Sequence, residues 1–297
     1  MKTIVILGDL NIDLIFSGLK TVPALGREIL AKDYRLKIGG SAANTACVLA
    51  SVGCPVRFFG VAGDDFFGRW IIDELKKCGL DAGTVRLANG QHTGVTVALT
   101  YASDRMYITD SGTVAATGLK DMANGYLNRG GHLHLAAYFL QKNLRPAVGG
   151  LIRRAKKIGM TTSLDPGYDP EDKWDLSAME PYWQYLDFFL PNEKELISIV
   201  GINDFEQALL AFPSEVNGVV VKTGAHGALL RYKGKVEKHS ALDEVKAIDT
   251  SCAGDCFNAG FLLGINRGYP VEDAVRLGNK YGAAAVSCVG LPEKLPD

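Results

Sequence analysis

The stretch Asp249-Thr250-Ser251-Cys252-Ala253-Gly254-Asp255, followed at once by the apolar run Cys256-Phe257-Asn258-Ala259-Gly260-Phe261-Leu262-Leu263, reads as a small-residue turn feeding a helix N-terminus. The first N–H groups of a helix have no internal acceptors and lie at the positive end of its dipole, so such a junction presents donors to an anion such as phosphate. Ala253 and Gly254 keep the approach open, because a bulky side chain would hold an anion away from those amides. Asp255 stands out beside them. A phosphate repels a neighbouring carboxylate, and the carboxylate has a purpose there if it takes a proton from an attacking hydroxyl. An ordinary acidic residue in a helix's first turn is the alternative.

Working outward, the chain alternates strand and helix patterns. Lys2 to Leu7 is a β-branched run that ends in Gly8-Asp9-Leu10-Asn11-Ile12-Asp13, a buried strand delivering polar residues at its carboxyl end, where open α/β sheets bind ligands. Asp9, Asn11 and Asp13 share one side if the chain stays extended, and an ionised Asp13 could hold two substrate hydroxyls; a capped turn is the competing reading. Gly39-Gly40-Ser41-Ala42-Ala43-Asn44 opens a helix against which a ligand could lie on backbone, with Asn44 offering both a donor and an acceptor. Asp64 and Asp65 read as caps of the next helix, which ends at Lys77.

His132-Leu133-His134-Leu135 alternates as a strand, and its two histidines lack a third metal ligand, so they read as structural. A helix from Arg145 to Lys157, a strand from Met160 to Leu164 and a turn at Asp165-Pro166-Gly167 complete one unit of a doubly wound sheet. Tyr138 and Asp165 fall at strand carboxyl ends and are candidates for substrate contact. Asn192 and Glu195, after the strand Phe188-Phe189-Leu190, share one helical face and supply oxygens suited to hydrated Mg²⁺, with helix capping as the alternative. Val219 to Lys222 is a buried strand, followed by the turn Thr223-Gly224-Ala225-His226-Gly227. The last helix runs from Val271 to Ser287.

Composition narrows the classes. Hydrophobic residues make up 47% and charged residues 22% of 297 positions, with a formal net charge of -1, so nothing electrostatic argues for nucleic acid or a membrane surface as partner. The apolar run Ile4 to Leu7 is too short for a signal-peptide core or a membrane span, and a cytoplasmic location is expected. The six cysteines, at 47, 54, 78, 252, 256 and 288, show no CxxC or Cys/His ligand spacing and read as small buried hydrophobes.

The heptapeptide closely resembles the second signature of the ribokinase-like (PfkB) carbohydrate kinases, Asp-Thr-x-Gly-Ala-Gly-Asp. Cys252 stands where that family most often has Gly, so the position has no strict need for positive φ and the departure bears on the fine geometry of the anion hole. Gly-Asp-x-Asn-x-Asp at 8–13, Gly-Gly-x-x-x-Asn at 39–44, Asn-x-x-Glu at 192–195 and Gly-x-x-Gly at 224–227 follow in family order along the whole chain. The resemblance implies an α/β fold, a ribokinase-like three-layer α/β/α doubly wound sheet with a small β-sheet lid, in a single kinase domain spanning 1–297. The lid would come from about 15–38 and 90–109, where apolar pieces alternate with polar ones.

It also implies roles. Asp255 would be the base, with Cys252, Ala253 and Gly254 forming the anion hole. Asp9, Asn11, Asp13, Gly39, Gly40 and Asn44 would bind the acceptor, while ATP would meet Asn192, Lys222, Thr223, Gly224, Gly227, Gly254, Asn279 and Ala283. Mg²⁺ would sit near Asn192 and Glu195 through water, and Asp249, Val286, Ser287 and Gly290 would form a loop for a monovalent cation, K⁺. Arg105 could pair with a sugar-acid carboxylate or be a lid surface charge. A homodimer through the lid is implied as well.

The expected activity is ATP-dependent phosphorylation of a hydroxymethyl group on a small sugar. The alternatives are a nucleoside kinase, a sugar-acid kinase and, in a different class, a non-catalytic sugar-binding sensor. Independently of the resemblance, the missing G-x-G-x-x-G after the first strand argues against a Rossmann dehydrogenase, and there is no Walker A motif.

Overall fold

In the computed structural model, which describes residues 1–101, 105–122, 126–127, 130–242, 249–288, 290–292 and 294–296, the first strand, β1 (Thr3–Leu7), sets the layering. Ile4 and Ile6 enter one hydrophobic cluster and Val5 and Leu7 a second, because successive side chains of a strand point to opposite faces. All four are fully buried, as expected of a parallel strand covered on both sides.

The elements follow as β2 (Asn11–Ser17), β3 (Asp33–Gly39), α1 (Ser41–Ser51), β4 (Val56–Phe59), β5 (Val61–Gly63), α2 (Phe66–Lys77), β6 (Arg86–Ala88), β7 (Val95–Thr100) and β8 (Arg105–Asp110). Next come β9 (Gly130–Leu135), α3 (Arg145–Lys157), β10 (Thr161–Leu164), β11 (Phe188–Phe189), α4 (Glu193–Val200), α5 (Phe205–Ala211), β12 (Gly218–Lys222), β13 (Ala228–Tyr232), β14 (Lys235–His239), α6 (Ala253–Asn266) and α7 (Val271–Val286). The main sheet has the order β14-β13-β12-β11-β10-β9-β1-β4. It is parallel from β4 to β12, with β13 and β14 added antiparallel.

Helices α1, α2, α6 and α7 contribute to the first cluster, and α3, α4 and α5 to the second, which makes three layers. Close approach on the first face depends on small residues: a Cβ on Gly260 of α6 would lie 2.7 Å from the Leu277 carbonyl of α7. On the second face α3 buries Val148, Leu151, Ile152 and Ala155, while Arg154, Lys156 and Lys157 occupy its last turn and complement the helix dipole.

A separate four-stranded sheet, β3-β2-β7-β8, is built from half-exposed strands. It takes in residues outside the ranges 15–38 and 90–109 expected from the sequence: β2 begins at Asn11, paired with Gly39, and β8 ends at Asp110. Asn11 and Asp13 therefore sit on this small sheet and not on a prolongation of β1. The histidines of β9 are held by hydroxyls, His132 by Thr161 and Ser163 and His134 by Ser163, each at 2.7 Å. Among the described residues no helix is long and apolar enough to cross a membrane.

Candidate active site

The carboxyl ends of the parallel strands bring Asp9 (after β1), Asp165 (after β10), Asn192 (after β11) and Lys222 (end of β12) to one edge of the sheet. Lys222 Nζ lies 2.7 Å from Asp165 Oδ2, which also accepts from Asn258 Nδ2 of α6 at 2.6 Å. Burial works against the ammonium, yet Asp165, Glu195 and Asp255 outweigh it and hold the Lys222 pKa above its usual value. Burial likewise works against the Asp165 carboxylate, and Lys222 overcomes it, so its pKa is lowered. The result is one cation set among three carboxylates.

Cys252 is the N-cap of α6 at φ -102, an ordinary conformation for a residue other than glycine. The amides of Gly254 and Asp255 have no acceptor among the described residues, as the first turn of a helix dictates. A Cβ on Gly254 would come 3.9 Å from Lys222 Nζ, so the helix terminus and the ammonium face the same space. An anion there meets both. Asp255 Oδ2 accepts from Asn44 Nδ2 of α1 at 2.8 Å, and the Thr45 hydroxyl donates to the Asp255 carbonyl at 3.2 Å. Burial raises the Asp255 pKa to about 7, with Asp165 and Asp9 adding to it against the hydrogen bond from Asn44. Cys252 does not have an activated thiol: burial, then Asp255, pushes its pKa well above the usual value.

The residues expected at the acceptor fall into two groups. Asn11, Asp13, Gly39, Gly40 and Asn44 come together with Asp255. Asp13 Oδ1 accepts from Asn11 Nδ2 at 3.0 Å, and burial raises its pKa to about 7, with Asp9 and Asp249 contributing. A Cβ on Gly39 would collide with the Asp13 carboxylate, and one on Gly40, at φ 98, would lie 2.6 Å from the Asp9 carbonyl, so both must be glycine for this approach. Asn44 Oδ1 is buried with no partner among the described residues, an acceptor that a ligand hydroxyl would satisfy.

Three residues have other roles than those expected. Asp9 spends both carboxylate oxygens on the first amides of α1, Ser41 N at 3.0 Å and Ala42 N at 2.9 Å, and so positions Gly40 and Asn44 as a cap. Tyr138 packs edge-on against Phe139 inside the second hydrophobic cluster, 3% exposed, because the chain turns inward after β9. Arg105 neither awaits a substrate carboxylate nor lies on the surface. It donates to Asp249, Ser251 and Thr250 across the gap between β8 and the turn before α6.

On the nucleotide side, Asn192 and Glu195 form a reciprocal capping box on α4, with Asn192 N donating to Glu195 Oε2 at 2.8 Å and Glu195 N to Asn192 Oδ1 at 2.9 Å. Capping is thus the role their side chains fill, at a point where Asn192 bridges Lys222. Among the described residues no group of three or more His, Cys, Asp or Glu side chains could hold a metal ion by itself. The donor set does suit Mg²⁺ held through water and phosphate: only oxygens, an excess of carboxylate, and a Glu195 whose pKa is raised to about 7 by burial and by Asp165.

Gly224 has φ 59 with open space around it, whereas a Cβ on Gly227, at φ 93, would collide with the His239 carbonyl. Thr223 N donates to the Gly227 carbonyl at 2.9 Å and closes this turn. Asn279 Nδ2 donates to the His239 and Ser240 carbonyls at 2.9 and 3.1 Å, tying α7 to the end of β14, and Ala283 lies one turn further along α7. Asp249, Val286 and Gly290 meet, with Asp249 N donating to Val286 O at 3.3 Å and Gly290 N to Asp249 Oδ2 at 3.4 Å. Asp249 Oδ1, however, already faces Arg105 and Ser251, a poor fit to a cation. Reading the sequence missed Asn258 and Tyr107. Asn258 lies three residues after Asp255 on α6, hence on its face, and Tyr107 alternates with Arg105 on β8, its phenol reaching Ser251.

The model of the pfkB family carbohydrate kinases matches residues 1–297. The ribokinase of Haemophilus influenzae is 25% identical over 308 residues, covering 99% of this chain and 95% of its own. The 2-dehydro-3-deoxygluconokinase of Bacillus subtilis is 26% identical over 275 residues, covering 87% of this chain and 83% of its own. Among solved structures, the Arabidopsis thaliana ribokinase complexed with ribose and ATP superposes with a TM-score of 0.84 at 25% identity, covering 100% of this chain and 96% of that one. With a family match from end to end, and with Asp255 at a helix terminus open to an anion, this chain belongs to the pfkB family carbohydrate kinases, which phosphorylate an alcohol group of a sugar with ATP.

Proposed function

We propose that the chain is one kinase domain, 1–297, that transfers the γ-phosphoryl group of ATP to a hydroxymethyl group of a neutral sugar, with the small sheet as its lid. The observation that carries this reading is Asp255, a carboxylate with its pKa raised to about 7, held by Asn44 beside helix amides at 254 and 255 that have no acceptor among the described residues. A base poised near neutrality can take the hydroxyl proton as the oxygen attacks phosphorus and ADP leaves. The amides at 254 and 255 and the Lys222 ammonium would hold the charge on the transferred group. Mg²⁺, near Asn192 and Glu195, would neutralise phosphate charge. Thr223, Gly224, Gly227, Asn279 and Ala283 would line the ATP side.

A neutral acceptor is favoured because Asp13 and Asp255 face it, while Arg105 is engaged by Asp249 and Lys222 by Asp165. A sugar acid would meet like charge. A nucleoside is the second reading, supported by the ring of Tyr107 on the small sheet close to Asp13 and Ser251. The test is ADP release, coupled to a spectrophotometric readout, across neutral sugars, sugar acids and nucleosides. Turnover of a neutral sugar with kcat/KM at least ~10-fold above the rest supports the proposal; preference for a nucleoside or a sugar acid replaces it, and binding without ADP release would indicate a sensor. Exposed Tyr34, Met106 and Ile108 on the small sheet suit a homodimer through the lid, which light scattering would read as twice 31.9 kDa. A cytoplasmic location accords with the ATP requirement.

A further inference from the structure

Arg105 begins β8 on the small sheet, yet its guanidinium reaches the turn that precedes α6. One terminal nitrogen, Nη1, donates to Asp249 Oδ1 at 2.9 Å and to the Ser251 hydroxyl, and Nη2 donates to the Thr250 hydroxyl. The pair is largely shielded from water, with side-chain exposures of 20% and 12%. Asp249 has little left to offer. Its Oδ1 also accepts from Ser251 N at 2.9 Å and Ser251 Oγ at 2.5 Å, and its Oδ2 accepts from Gly290 N at 3.4 Å. Three donors crowd Oδ1, which has about two lone-pair sites, and the guanidinium among them already balances the carboxylate charge.

The Val286 carbonyl, a further oxygen at this corner, accepts the Asp249 N–H at 3.3 Å. The opposite edge of the small sheet touches the same corner: the Lys37 side chain of β3 would lie 3.2 Å from a Cβ on Gly290. The loop pair at 249 and 290, where the resemblance calls for a monovalent cation, is thus met by basic residues from both edges of the small sheet.

We propose that Arg105 stands in for that cation, neutralising Asp249 with a fixed charge carried on the small sheet, and that it is a positioning residue for the 249–255 turn. A guanidinium suits the task because its planar fork satisfies a carboxylate and neighbouring hydroxyls together, which a spherical ion does only by collecting carbonyls. Two consequences follow. The kinase works without K⁺, and the order of the anion-binding turn depends on the small sheet being in place. Removing Arg105 leaves a shielded, unneutralised carboxylate, and a small cation is then drawn to it.

The inference rests on the kinase reading for its rate measurements and is independent of it for its second readout. Rates at saturating MgATP and acceptor are compared in KCl, NaCl and tetramethylammonium chloride at one ionic strength, for the wild type, Arg105→Met and Arg105→Lys. The wild type should vary by less than about twofold among the salts. Arg105→Met should lose about tenfold or more in kcat in tetramethylammonium and recover at least about threefold in KCl, with Arg105→Lys between the two. In parallel, KCl should raise the thermal midpoint of Arg105→Met above its value in tetramethylammonium and leave that of the wild type unchanged.

Activation of the wild type by K⁺ of about fivefold or more, or a K⁺-specific rise in its thermal midpoint, overturns the proposal. So does an Arg105→Met enzyme with undiminished kcat, or one whose loss no cation restores. If no acceptor turns over at all, the proposed function fails while the thermal comparison still decides the role of Arg105. Should Arg105→Met fail to fold, the wild-type salt series and Arg105→Lys decide it.

Discussion

Replacing Asp255 by Asn separates catalysis from folding in opposite directions. Asn keeps the volume, and its Oδ1 can still accept from Asn44 Nδ2, now at 2.8 Å from Oδ2 of the aspartate. It cannot accept a proton, so kcat should fall at least ~10²-fold while ATP binding persists. Stability should move the other way. The Asp255 pKa rises from 3.8 to about 7 on folding, so this carboxyl is most favourable to the native state below pH 4 and loses that contribution as pH rises through 7.

The rise from 3.8 to about 7 corresponds to at most about 4 kcal/mol, an upper bound because the side chain keeps some contact with the cleft. Asp255→Asn should therefore be more stable than the wild type at pH 8, with the difference vanishing near pH 4. Denaturant melts at the two pH values, together with kcat from coupled ADP release, check both halves. A variant that retains kcat within a few-fold refutes the base assignment, and one less stable at pH 8 refutes the account of its burial. In the wild type the acid limb of kcat/KM should lie near pH 7 and be steeper than one proton, since Asp13 and Glu195 share that value.

Asp13→Ala should cost roughly 1.5 to 3 kcal/mol in kcat/KM for the acceptor with little change in KM for ATP; an effect confined to ATP would remove Asp13 from the acceptor pocket. Lys222→Met strands Asp165 and Glu195 without their cation, so kcat should drop at least ~10-fold and the stability deficit, about 3–5 kcal/mol at pH 8, should shrink toward pH 5; equal deficits at both pH values would contradict the electrostatic account. Cys252→Ala should leave activity within a few-fold and Cys252→Leu should not, and iodoacetamide should inactivate the wild type no faster than Cys252→Ala, because burial holds the thiol protonated. Gly227→Ala meets the His239 carbonyl at φ 93 and should lose roughly 1–3 kcal/mol in a denaturant melt; an unchanged midpoint would mean that the turn relaxes freely.

The layering and the anion turn were legible in the residues alone because local rules govern them. The continuous β-branched run of β1, the span of α3 between its predicted ends Arg145 and Lys157, and the small residues at 252–254 each depend on the chain near them. Asn44, Asp13 and Asp255 could be named from motifs, but their meeting could not be derived from spacing: Asn44 and Asp255 are 211 residues apart. What escaped was every role set by a long-range partner. Asp9 became a cap because the Gly40 turn aims the amides of α1 at it, and Arg105 became a bridge because β8, paired with β7, begins beside residue 249. Tyr138 turned inward with the chain. The charge state of the cleft was equally invisible, since a carboxylate near pH 7 results from burial and from neighbours drawn from β1, β10 and α6, and a sequence carries neither until the sheet has brought them together.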